Sequence, residues 1–347
     1  MKVVVVGAGY AGTVAANRLA RRAREAEVTI VNPRVDFVER IRLHQLIAGT
    51  DSAARPLADV LDRRVSVRVA SVDKIGDGVV RLDDGTELDF DRLVYAAGGA
   101  VTAPRGTLAV GGVDDAREAA QRLGALPEGS VVDVIGGGLT GVETAAEVAS
   151  ERADLTVRLI SDGPLAPSLG EPARRRVEQV LDGLHVQRIR GTWDDDGQAQ
   201  LTLWAVARQV SDVARRSGWA VDDDGRVIVD ERLRSVSDPR VYAVGDAAAV
   251  PRSRMSCQAA LPQGTYAADA IVRELRGRTA RPYSMGFAAQ CVSLGRSDGV
   301  VQRVHRDDSP AGFWLGGRTG ALVKEQVCRS TMIIARTSRN AWLPGPS

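Results

Sequence analysis

Two glycine clusters carry the plainest chemistry in this 347-residue sequence. The first, Gly7-Ala8-Gly9-Tyr10-Ala11-Gly12, follows a β-branched run at 3–6 and opens an Ala/Leu/Arg-rich stretch at 13–24. The second, Gly136-Gly137-Gly138-Leu139-Thr140-Gly141, follows a similar run at 131–135 and opens an apolar stretch at 142–150. In a strand–turn–helix of this kind the first glycine permits the tight bend. The second lets a pyrophosphate approach the backbone without meeting a Cβ, and the third lets the helix sit close to the strand. The free N–H groups and the dipole at the helix start then face the anion. The expected chemistry is phosphate recognition, at Gly7, Gly9 and Gly12 and again at Gly136, Gly138 and Gly141.

Such turns need a sheet behind them. A continuous β-branched run is the signature of a strand buried on both faces of a parallel sheet. Returning strands at 28–31 and 155–160 complete two βαβ units about 130 residues apart, a duplicated architecture. Between them lie short strands at 65–72, 78–82 and 87–90, and a strand at 93–95 that ends in Gly98-Gly99. Beyond the second unit, strands are expected at 185–189, 200–206, 226–229 and 241–244, the last ending in Gly245-Asp246. A helix is expected over 262–276 with Pro262 in its first turn, where proline is tolerated. The tail from Tyr283 has apolar and glycine-containing segments but no assignable pattern.

Composition narrows the class. With 44% hydrophobic and 26% charged residues the chain reads as a soluble globular protein of two or three domains. A net charge of +2 gives no electrostatic reason to expect a nucleic-acid partner. Lysine occurs only at Lys2, Lys74 and Lys324, leaving 43 arginines. Cys257, Cys291 and Cys328 are widely spaced, which disfavours a disulfide framework or a zinc site and fits a reducing cytoplasm; no metal is expected. The longest uncharged stretch, 3–17, is shorter than the ~20 residues that span a bilayer. Its glycine spacing argues against a signal peptide, and 331–342 is only weakly amphipathic, so stable membrane insertion is not expected.

Four motifs now stand in a telling order. They are the Gly7/Gly9/Gly12 turn, Asp91-Arg92-Leu93-Val94-Tyr95-Ala96-Ala97-Gly98, the Gly136/Gly138/Gly141 turn with Glu143, and Val241-Tyr242-Ala243-Val244-Gly245-Asp246. Over about residues 1–285 the chain resembles the pyridine nucleotide–disulfide oxidoreductase superfamily, and within it the FAD-dependent type II NADH dehydrogenase-like branch. The resemblance implies an α/β, glutathione reductase-like fold of two Rossmann-like dinucleotide-binding domains plus a C-terminal segment. The FAD-binding domain would be discontinuous, at 1–103 and 237–285; a shortened NAD(P)-binding-like domain would cover 104–236, and the C-terminal segment 286–347.

The same resemblance implies roles. FAD would lie on the first turn, with Ala11, Asn32, Arg42, Val72, Ala97 and Gly98 around it. Gly245 and Asp246 would approach its ribityl chain, and Leu261 and Gln263 would mark a helix start facing the flavin. NAD(P)H would lie on the second turn with Glu143 near its nicotinamide, while His44 would serve as a substrate-side acid or base. The partner is a small-molecule substrate, and a homodimer is compatible with the pattern.

Four departures qualify the pattern. The segment Glu39-Arg40-Ile41-Arg42-Leu43-His44-Gln45 lacks the C-x-x-x-x-C pair of the disulfide reductases, which excludes dithiol chemistry. Asn32 stands where an acid usually holds the FAD ribose. Ser161, followed by Asp162, stands at the equivalent place in the second unit, so a preference for NAD over NADP is not supported. The stretch between 189 and 200 is too short for the usual β-meander, and Ala207 replaces a family glycine. Three readings follow. The chain is an oxidoreductase passing electrons from NAD(P)H through FAD to a quinone-like acceptor, an FAD-retaining biosynthetic tailoring enzyme that no longer uses NAD(P)H, or a non-enzymatic binding module.

Overall fold

The computed structural model describes residues 1–100, 102–195, 197–206 and 209–346. Its centre is a five-stranded parallel sheet in the order Val65–Val69, Glu27–Asn32, Lys2–Val6, Arg92–Tyr95, Val241–Ala243. Val3, Val4, Val5 and Val6 are buried, as β-branched residues covered on both faces must be. A second five-stranded parallel sheet repeats the arrangement: Gln187–Arg190, Thr156–Ser161, Val131–Ile135, Leu201–Trp204, Leu108–Ala109. In both sheets the strand before the glycine turn lies in the middle, so each turn emerges at a carboxyl edge where the strand order reverses. That is where open α/β sheets bind ligands.

The helices after the turns begin earlier than the sequence suggests, at Tyr10–Arg22 and Leu139–Glu151. Gly9 and Gly138 are their caps, and the last glycine of each turn already lies in the first helical turn. The expected helix over 262–276 is corrected to Cys257–Leu275. Its cap is Ser256, whose Oγ accepts the Ala259 N–H at 3.3 Å. Pro262 therefore sits inside the helix and leaves the Gln258 carbonyl without its i+4 donor. The expected strand at 65–72 is two: Val65–Val69 in the parallel sheet, then Val72–Ile75, which joins Val79–Leu82 and Glu87–Asp89 in an antiparallel meander. The second unit has no such meander among its described residues between 191 and 200.

The unassigned tail is an ordered module. Ala289–Ser293, Gly299–Val304 and Pro310–Leu315 form an antiparallel sheet, followed by the 21-residue helix Gly317–Thr337. Gly320, Cys328, Thr331 and Ala335 form the buried stripe of that helix at helical spacing. It sits close to its sheet because a Cβ on Gly320 would stand 2.1 Å from the Gly299 carbonyl oxygen. Its far end is fastened to the first unit, where Asn17 Nδ2 donates to the Ala335 carbonyl at 2.7 Å and Arg18 to that of Ser338. No described helix is long and apolar enough to cross a membrane.

Candidate active site

A cleft of about 1350 Å³ extends from the first glycine turn to the C-terminal helix. Small-molecule sites usually occupy about 300–1000 Å³, so this one has room for an extended dinucleotide and a second ligand. At the turn, Gly7 has φ +96°, and a Cβ there would lie 2.4 Å from the Ala96 carbonyl oxygen. A Cβ on Gly12 would lie 1.9 Å from the Gly7 carbonyl oxygen, while one on Gly9 would meet nothing within 4 Å. The outer two glycines are thus demanded by packing. Gly9 faces the space a phosphate would take.

Asn32 closes this turn. Its Oδ1 accepts the Ala8 N–H at 3.0 Å and its Nδ2 donates to the Arg34 carbonyl at 2.8 Å. One amide hydrogen remains for a ligand. Of the other residues expected here, Ala11, Val72, Ala97, Gly98, Gly245, Asp246 and Leu261 line the cleft, while Gln263 and Arg42 do not. Buried Gln263 accepts the Gly245 N–H at 2.7 Å and donates to Ser253 Oγ at 3.1 Å, fixing Gly245 at φ +69°. Arg42 spends its guanidinium on Glu325 at 2.9 Å, Gln45 at 2.8 Å and Glu39 at 3.4 Å, tying the short helix Leu43–Ala48 to the C-terminal helix. The helix starts at Ser256–Cys257 rather than near Leu261, and both this start and the following turn, with Ala260, Leu261 and Pro262, line the cleft.

At the far end three separate regions meet. Glu143, on the helix after the second turn, pairs through Oε1 with Lys324 Nζ of the C-terminal helix at 2.9 Å. The same oxygen accepts the Ser293 N–H at 3.1 Å. Ser293 Oγ lies 3.5 Å from it and 3.1 Å from His44 Nε2. A carboxylate only accepts, so the serine hydroxyl donates to Glu143 and the imidazole N–H to the serine. Glu143, Lys324 and His44 all line the cleft.

Burial alone would drive each of these groups neutral, and the three respond differently. It pushes the Glu143 carboxyl up, but the Lys324 ammonium and the Ser293 amide outweigh it and hold the carboxyl below its ordinary range. It pushes Lys324 down, but the Glu143 carboxylate prevails and holds the ammonium above its ordinary range. His44 has no such compensation. Burial, with the positive charges of Lys324, Arg296 and Arg42, lowers it from 6.5 to about 4 despite Glu143. The site therefore holds a buried ion pair beside a neutral imidazole.

Lys324 was not among the residues the sequence singled out. Its signal was rarity, one of three lysines among 46 basic residues, but an unassigned tail gave no reason to bring it to the cleft. Cys257 and Cys291 also line the cleft; with Cys328 they are free, and burial raises all three thiols.

The second turn copies the sterics of the first. Gly136 has φ +120°, a Cβ on Gly141 would lie 1.8 Å from the Gly136 carbonyl oxygen, and one on Gly138 meets nothing within 4 Å. Ser161 exchanges hydrogen bonds with the backbone of Gly163 at 3.1 and 3.3 Å, and Asp162 is exposed. Arg175 pairs with Glu171 and Arg176 with Asp298. Ala207 lies outside the described residues.

A family model described as pyridine nucleotide-disulphide oxidoreductase matches residues 1–264. A NADH dehydrogenase-like protein of Mycobacterium tuberculosis is 31% identical over 348 residues, covering 86% of this chain and 87% of that protein. Ferroptosis suppressor protein 1 of Homo sapiens is 25% identical, covering 94% and 93%. Among solved structures, the sulfide:quinone oxidoreductase of Aquifex aeolicus superposes with a TM-score of 0.80 at 17% identity, covering 97% of this chain and 92% of that one. NDH2 of Plasmodium falciparum in complex with NADH superposes with a TM-score of 0.78 at 14% identity, covering 96% and 97%.

Proposed function

The chain belongs to the pyridine nucleotide-disulphide oxidoreductase family of FAD- and NAD(P)H-binding enzymes, and from that premise we propose that it passes electrons from NAD(P)H to a quinone-like small acceptor. The observation that carries this reading is the buried Glu143–Lys324 pair, set where the cleft of the first unit meets the second. An acceptor carbonyl that takes up electrons develops negative charge on oxygen. A fixed ammonium in a water-poor site stabilises that charge and can supply the proton that neutralises it. Glu143 holds the ammonium in place, and neutral His44 holds Ser293, which in turn orients Glu143.

The residues fit FAD as the carrier. Gly9 leaves open space at a helix cap, Asn32 keeps one amide hydrogen, and Gly245-Asp246 is delivered to the cleft by the edge strand Val241–Ala243, paired with Arg92–Tyr95. When bound, FAD supplies the exchange between a two-electron hydride donor and the acceptor. The domain bounds, 1–103 with 237–285, 104–236 and 286–347, belong to the same proposal. Pairing of Val241–Ala243 with Arg92–Tyr95 supports the discontinuous first domain. The free cysteines support a reducing, cytoplasmic setting. The biosynthetic alternative is not supported: the second turn keeps a left-handed first glycine, an open middle glycine and a tightly packed third.

Anaerobic mixing tests the reading. NADH or NADPH should bleach the yellow absorbance of the purified protein, and a short-chain benzoquinone should restore it. Protein that stays yellow with both nucleotides would overturn it.

A further inference from the structure

Glu147 is used by none of the preceding argument, yet it is the most deeply buried acid among the described residues, with no exposed surface. It lies one helical turn beyond Glu143 on Leu139–Glu151, and residues four apart share a face, with about 5–6 Å between Cβ atoms. Its Oε1 accepts the Thr50 hydroxyl at 2.6 Å, and Arg296 Nε lies 3.9 Å away. Its Oε2 is buried with no hydrogen-bond partner. Native interiors rarely leave such an atom unsatisfied, and a catalytic role is one of the few reasons for it. Thr50 is half-buried and Arg296 more exposed, so the carboxyl stands between the Glu143–Lys324 pair and the protein surface.

We propose that Glu147 is the proton inlet of the reaction, carrying protons from the Thr50–Arg296 face to the Glu143–Lys324 pair. The inference rests on the quinone-reductase reading, and its stoichiometry requires such a path. NAD(P)H gives up one hydride, two electrons with one proton, and a quinone leaves as a quinol with two new O–H bonds. The second proton comes from solvent in every turnover, yet Glu143 and Lys324 are about 10% exposed. The groups facing Glu147 are Glu143 and Glu151 on its own helix, Thr50 beside the short helix, and Arg296 in the hairpin. Burial, reinforced by the two glutamates, raises its carboxyl above the ordinary value against the pull of Thr50 and Arg296, as a group that must both take and give a proton requires.

The test compares two acceptors. Reducing ferricyanide requires no incoming proton, whereas reducing a benzoquinone does. Glu147→Gln should slow benzoquinone turnover about tenfold, lower the pH at which that rate falls off, and leave ferricyanide turnover within about twofold. Thr50→Val should give a smaller loss of the same kind, and Glu147→Asp should restore most of the rate. Apart from activity, an infrared pH titration of the resting protein should show a carboxylic-acid band that Glu147→Gln removes. Equal losses with both acceptors, or no loss with either, would overturn the inlet. A wild-type protein that NAD(P)H cannot bleach would instead overturn the function beneath it.

Discussion

The two glycine turns are near copies in backbone and near strangers in side chains. In each, the third glycine packs under the carbonyl of the first so tightly that a Cβ would come within 1.9 Å and 1.8 Å of it. In each, the middle glycine caps a 13-residue helix and faces open space. The residue ending the next strand differs: Asn32 reaches back to clamp the first turn, while Ser161 closes only its own loop. The first unit adds a meander, and the second does not among its described residues. The lesson is that the duplicated part repeats a shape, an open glycine at a helix cap, whereas the side chains that differ are supplied elsewhere. Here that place is the C-terminal module, which sends Lys324 to Glu143.

The comparison breaks most visibly at the glycines. Gly12→Val should yield protein without bound flavin, because the helix can no longer approach the strand. Gly141→Val should keep its flavin colour and lose nucleotide response, with the KM for NAD(P)H raised more than ~10-fold. Flavin content and bleaching kinetics check both, and equal flavin loss in the two would mean the turns do not divide the cofactors.

The next effect tests the third region against both turns. Lys324→Met should lower benzoquinone turnover by on the order of 10²–10⁴ with flavin retained. It also strands a buried carboxylate, at a cost of roughly 3–5 kcal/mol that urea unfolding would register. Glu143→Gln with Lys324→Met should recover stability but not turnover.

A smaller effect concerns pH. The folded pKa of His44 is about 4 against 6.5 for a free side chain, so between these values the unfolded chain binds the proton and the folded site does not. Its contribution is intact above pH 6.5 and is lost as pH falls towards 4, by roughly 3 kcal/mol in all. His44→Leu should flatten the slope of unfolding free energy across that window.

The smallest effect sharpens the contrast between Asn32 and Ser161. Ser161→Asp restores an acid where a ribose hydroxyl would lie and should favour NADH over NADPH by about tenfold, ~1.4 kcal/mol. Asn32→Asp should change nucleotide preference not at all. Steady-state KM values for both nucleotides check the pair.

Legibility varied along the chain for physical reasons. The parallel strands and their glycine turns could be read because burial on both faces forces continuous β-branched runs and close packing forces glycine at fixed spacings. The start of Cys257–Leu275 is not legible locally because Pro262 is the stronger signal in sequence, while the weaker cap at Ser256 prevails in three dimensions. The helix Gly317–Thr337 escaped because its buried stripe is made of Gly320, Cys328, Thr331 and Ala335, small or weakly polar residues chosen for close approach. With it went Lys324 and the reason for Arg42, which holds that helix rather than a cofactor.

By itself, then, the sequence determined the two glycine turns, the duplicated sheets and the absence of a redox dithiol. These depend on local sterics and on residue types within a few positions of one another. The meeting of His44, Glu143, Ser293 and Lys324 belongs to the tertiary structure alone. Those residues are up to 280 positions apart, and what joins them is packing between three helices and the edge of the C-terminal sheet that no local pattern encodes.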